Sequence, residues 1–95
     1  MNEVALELLL SCKEPNSGNF FARKSVLLPG YPSRGDVIYL SNDDCKFKIE
    51  SRLWRESDTV LLRLESDYPT FEDLDSLKKI ENSLIDNGWE IEIQA

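Results

Sequence analysis

Apolar side chains recur at every second position through most of this chain and at every third or fourth position in one segment only, after Pro69. That pattern confines the fold to several strands sharing one core with a single helix. Val4, Leu6, Leu8 and Leu10 alternate with Ala5, Glu7, Leu9 and Ser11, the period of a strand with one face well buried. "FFARKSVLL" (20–28) is rich in aromatic and β-branched residues and ends at Pro29, which suits a second strand. Val37 to Leu40 forms a short third. Phe47, Ile49, Ser51 and Leu53 alternate with Lys46, Lys48, Glu50 and Arg52, the pattern of a half-buried fourth strand. In a fifth, Val60, Leu62 and Leu64 face one way and Leu61, Arg63 and Glu65 the other. "KEPNSGN" (13–19), "SNDD" (41–44) and "RESD" (55–58) supply the loop residues between these runs. Connections this short are too tight for a parallel crossover, so strands three to five are expected to form an antiparallel meander.

After Pro69 the period changes. Thr70 and Asp73 have capping-box spacing, and Glu72, Asp73 and Asp75 place negative charge at a helix N-terminus. Phe71, Leu74, Leu77, Ile80, Leu84 and Ile85 fall on one side of the helical wheel; Asp75, Lys79, Asn82 and Asp86 fall on the other. Asn87-Gly88 ends the helix, and Trp89, Ile91 and Ile93 alternate with Glu90, Glu92 and Gln94 in a last strand. The crossover is long enough for that strand to pair parallel with a neighbour. The fold class is therefore α+β, in the order β-β-β-β-β-α-β: a mostly antiparallel five- to six-stranded sheet packed by one C-terminal amphipathic helix. The pattern leaves open whether the sheet curls into a half-open barrel plugged by the helix or stays a flatter two-layer sandwich. A chain of 95 residues, 41% hydrophobic and 31% charged, suits one domain spanning 1–95.

The residue types present exclude much chemistry. With no histidine, the chain has no Ser-His or Cys-His nucleophilic pair and lacks the commonest zinc ligand. Cys12 and Cys45 show no C-x-x-C spacing, and Asp43-Asp44 beside Cys45 disfavours a thiolate there. Asp43-Asp44 and Asp73 with Asp75 are carboxylate pairs at positions where aspartate serves a turn or a helix start. Gly30 and Gly35 belong to no phosphate loop, because no G-K-[ST] follows them. No catalytic residue, cofactor or metal is assigned, and the expectation is a non-catalytic protein.

Charge distribution bears on partners. A net charge of −7 argues against a general binder of nucleic acid. Residues 20–63 nonetheless carry eight basic side chains against six acidic ones, whereas residues 64–95 carry two against nine. If alternation holds along the fourth strand, Lys46, Lys48, Arg52 and Trp54 share its outward face, with Arg63 of the fifth strand beside them. Lys48, Arg52, Trp54 and Arg63 are thus a candidate interaction face, suited to stacking a base and holding phosphates. The opposing interpretation is a solvated face whose charges pair across strands with Glu50 and Glu65. "LPGYPSRGDVIYL" (28–40) holds the adhesion-like tripeptide Arg34-Gly35-Asp36, but its prolines and glycines make it a bent connection between two strands, with Tyr31 and Arg34 as a candidate loop surface. No apolar run approaches the ~18 residues of a membrane span, and Leu8-Leu9-Leu10 has no basic flank or cleavage site. The resulting expectation is a cytoplasmic, bacterial-type interaction module with reduced thiols, binding another protein and neither membrane nor, as its main role, nucleic acid. Two alternatives stand beside it: an acidic inhibitor or immunity-type protein binding a basic surface, and a nucleic-acid module using the basic-aromatic face.

Overall fold

A computed structural model describes residues 1–14, 19–41, 45–56, 60–65 and 70–94. Its elements follow the expected order: β1 (Asn2–Leu10), β2 (Asn19–Leu28), β3 (Val37–Leu40), β4 (Cys45–Trp54), β5 (Val60–Leu64), α1 (Leu74–Asp86) and β6 (Glu90–Gln94). The turns expected within 15–18, 42–44 and 57–59, the Asp43-Asp44 pair and the Cys45 side chain lie outside the described residues.

The strands form one sheet in the order β3-β4-β5-β1-β2-β6. Strands β3, β4 and β5 make the expected antiparallel meander. The parallel pair is β1 with β5, Val4 opposite Val60 through Glu7 opposite Arg63. The last strand was expected to be a candidate for parallel pairing; instead β6 runs antiparallel to β2, from Asn19 opposite Gln94 to Arg23 opposite Glu90. Both sides of β1 are already taken by β2 and β5, so the chain leaving α1 finds its free edge on β2.

The sheet curls into a half-barrel. In a flat sheet β2 and β3 would stand four strand spacings apart, roughly 19 Å. Here Val26 and Leu28 of β2 line one cavity of about 220 Å³ with Tyr39 and Leu40 of β3. The concave face carries the core: Val4, Leu6, Leu8, Phe20, Ala22, Phe47, Ile49, Val60, Leu62 and Leu64 are buried there with Leu77 and Leu84 of the helix. Trp89 sits among them, its ring centroid 6.0 Å from that of Phe47.

Helix α1 starts later than the capping-box spacing suggested. Its N-cap is Asp73, whose carboxylate accepts a hydrogen bond from the Ser76 N–H, not Thr70. Phe71, just before it, is held in a parallel bridge to the segment that follows β1: Phe71 N–H donates to Ser11 O and Lys13 N–H to Phe71 O, both at 2.8 Å. Glu14 adds a second carboxylate, accepting from the Leu74 N–H at 2.6 Å. Hydrogen bonds from Ser76, first its backbone and then its hydroxyl, hold the Asp73 carboxyl below its ordinary range. At the other end Trp89 N–H donates to Leu84 O and Gly88 N–H to Ile85 O, with Gly88 at φ 92°, the paired bonds of a Schellman motif. No basic residue lies in the last helical turn; Lys24, pointing inward from β2, supplies the charge and donates to Asn87 O at 2.7 Å.

The apolar stripe also differs by one position. Ile85 is 51% exposed, while Glu81, between Leu77 and Leu74 on the wheel, is half-buried, and among the described residues its Oε1 has no hydrogen-bond partner. Burial raises its carboxyl above the ordinary value of 4.5, against a weaker opposing pull from Lys78. A raised acid favours the folded state fully below 4.5, and that contribution is lost as pH rises through the folded-state value. We expect Glu81→Gln to melt higher than wild type at pH 7, with the gap closing as pH falls through this range in a thermal-melt series.

The glycine-proline bend ends in a turn at residues 33–36. Asp36 N–H donates to Ser33 O at 3.0 Å, and the Asp36 carboxylate accepts from the Ser33 N–H at 2.9 Å. Gly35 has φ 92° and donates its N–H to Ile49 O, so the Arg34-Gly35-Asp36 tripeptide leads directly into the β3–β4 ladder. A Cβ at Gly35 would meet nothing within 4 Å, so its substitution is penalised by backbone strain alone. Gly35→Val is expected to cost about 1 kcal/mol or more, read as a melting temperature several degrees lower.

Candidate functional site

The fourth strand decides which predicted site residues meet. Ile49 lies opposite Leu64 and Ser51 opposite Arg63, so Glu50 is an extra residue and β4 carries a bulge there. Every side chain beyond it changes face. Arg52 stands opposite Leu62 and Trp54 opposite Val60, both inward residues, so Arg52 and Trp54 lie at the rim of the concave side. Lys48, before the bulge, remains on the convex side with Arg63. The expected shared strip of Lys48, Arg52, Trp54 and Arg63 is therefore divided between opposite faces. Ser51 and Leu53, expected inside, are exposed on the convex side, Leu53 by 54%.

The same bulge brings together residues from two separate predictions. The loop between β2 and β3 places Tyr31 against Trp54, edge to face, with ring centroids 5.1 Å apart. Arg52 Nη1 donates to Tyr31 O at 3.1 Å, and its guanidinium lies 5.3 Å from the Trp54 ring centroid. Each contact fixes a side chain that would otherwise lose rotamer freedom on binding. The group nonetheless faces water: Tyr31 is 37% exposed and Trp54 58%. Arg34 is exposed in the adjoining turn, and among the described residues no hydrogen bond, ion pair or ring contact ties it to this cluster. Lys48 is exposed and makes no ion pair among the described residues.

Arg63 belongs to a different assembly. Its Nη2 and Nε donate to one oxygen of Glu7, at 2.8 and 3.2 Å, and Arg23 Nε donates to the other at 3.1 Å. Arg23 continues the row to Glu92. Four charged side chains thus cross β5, β1, β2 and β6 on the convex face, with the Glu7 side chain only 4% exposed. Direct register explains it, since Glu7 stands opposite both Arg23 and Arg63. Sequence reading assigned Glu7 only to the polar face of the first strand. The available signal was its isolation: VALELLL carries one charge in seven residues, as a strand at the centre of a sheet would.

Beside Arg63 lies a cleft of about 380 Å³ lined by Leu9, Phe21, Leu64, Ser11, Thr70 and Glu50. Among the described residues no group of three or more Cys, Asp or Glu side chains is placed to hold a metal ion. No described helix is long and apolar enough to cross a membrane. Cys12 is half-buried where the segment after β1 meets Phe71. No protein-family model, curated protein or solved structure matches this chain.

Proposed function

We propose that this chain is a non-catalytic protein-interaction module that docks its partner on the Tyr31–Arg52–Trp54 rim. The observation that carries this reading is the combination of prior fixation and exposure in that cluster. Trp, Tyr and Arg are the residue types that dominate binding energy at interfaces, and rings already packed against one another lose little further freedom on docking. The test is affinity capture from lysate of the source organism with wild type and Trp54→Ala side by side. The expected result is a partner retained by wild type and weakened at least about 30-fold by the variant, with unchanged circular dichroism. Equal capture by both proteins would sink the proposal. Capture lost with Asp86→Lys but kept with Trp54→Ala would transfer the interface to the acidic helix face, as an inhibitor of a basic partner requires.

Arg52 over the Trp54 ring also supports a second reading, the stacking of single-stranded nucleic acid. The bulge weakens it by turning Arg52 and Trp54 away from the face that carries Lys48 and Arg63. Oligonucleotide titration followed by tryptophan fluorescence separates the two, since strand binding would quench Trp54 with a steep dependence on salt.

A further inference from the structure

We infer that the convex-face cleft binds a free amino acid with an apolar side chain, held as a zwitterion between Arg63 and Glu50. The cleft lies across the sheet from the Tyr31–Trp54 rim, so this inference stands apart from the docking surface. Leu9 and Phe21 are register partners on adjacent strands and form an apolar floor, Leu9 being 40% exposed. Arg63 forms one wall. Two of its five N–H groups are committed to Glu7, which fixes the guanidinium plane and leaves the others for a ligand. The bulge places Glu50 on the same cleft, and among the described residues this carboxylate has neither hydrogen bond nor ion pair. Opposite charges that share a cleft without pairing each keep capacity for a ligand. A simple anion would meet repulsion from Glu50 and a simple cation repulsion from Arg63, whereas an α-amino acid carries both charges a few bonds apart. Its side chain would cover Leu9 and Phe21, and the hydroxyls of Ser11 and Thr70 supply further polar contacts at the margin. The volume, about 380 Å³, lies near the lower end of the range for small-molecule sites, which suits one amino acid.

The experiment is a titration of the isotope-labelled protein with L-phenylalanine and L-leucine, followed by amide chemical shifts. Saturable shifts confined to the neighbourhood of Leu9, Phe21, Glu50 and Arg63 are expected. N-acetyl-L-phenylalanine, which lacks the cation, phenethylamine, which lacks the carboxylate, and glycine, which lacks the apolar group, should each bind at least about tenfold more weakly. Glu50→Gln should weaken phenylalanine by about the same factor while leaving the melting temperature unchanged. The inference is overturned by the absence of saturation up to the solubility limit of the ligand, by shifts centred elsewhere, or by equal binding of any of the three analogues or to Glu50→Gln.

Discussion

Replacing both Arg23 and Arg63 with methionine is expected to destabilise the protein by about 3–5 kcal/mol, and by more than the two single substitutions added together. Glu7 is the reason. Its carboxylate is almost wholly removed from water, and the two arginines that bond its two oxygens are themselves about half exposed. Loss of one arginine leaves the other to neutralise the carboxylate; loss of both leaves a buried charge with no counterion. The coupling reports desolvation of Glu7 and not a large intrinsic strength of either half-exposed ion pair. Adding Glu7→Leu to the double variant should therefore restore most of the loss, because an apolar side chain in that position has no charge to solvate. Urea unfolding of the five proteins measures the cycle. Additive single and double variants would show that Glu7 is solvated in a way the geometry does not provide.

A second large effect is expected at Trp89. Trp89→Ala should cost about 3–5 kcal/mol, since it opens a cavity in the middle of the concave face. Trp89 is 2% exposed, packs on Phe47, closes the Schellman motif through Leu84 O and lies 5.8 Å from Lys24 Nζ across its ring. The backbone of this residue closes the helix terminus, and its ring joins β2 to β4. Trp89→Phe keeps an aromatic ring and should lose considerably less, which guards against the alanine variant failing to fold. A loss below about 1 kcal/mol in Trp89→Ala would mean that the helix is docked by other contacts.

Local chemistry made most of the architecture readable. Alternation in β1 and β5, the helical period after Pro69 and the Asn87-Gly88 stop all reflect interactions between residues near one another in sequence. The errors arise where distant segments decide. Thr70 does not cap the helix because the segment after β1 holds Phe71 in a strand-like bridge, and β6 pairs antiparallel because both sides of β1 are occupied. The candidate site failed in its expected form for a single reason, one extra residue at Glu50. Alternation in KFKIESRLW continues unbroken on paper, and nothing in those letters marks a bulge. Parity therefore assigned Arg52 and Trp54 to the wrong face. Their contact with Tyr31 depends on the bend of the preceding loop, and the Glu7 cluster depends on a strand register that one sequence does not encode locally.

The parallel pairing of β1 with β5 also sets the order in which the chain can mature. Of the six strands β1 is made first and lies inside the sheet, yet one of its two neighbours arrives much later: Glu7 and its partner Arg63 are 56 residues apart. Until then a leucine-rich edge has hydrogen-bonding groups on one side only partly used, and closing so long a loop is entropically slow. The sheet is accordingly expected to close only after β5 has been made, and until then the β1–β2 pair is the part most exposed to pairing with the wrong chain.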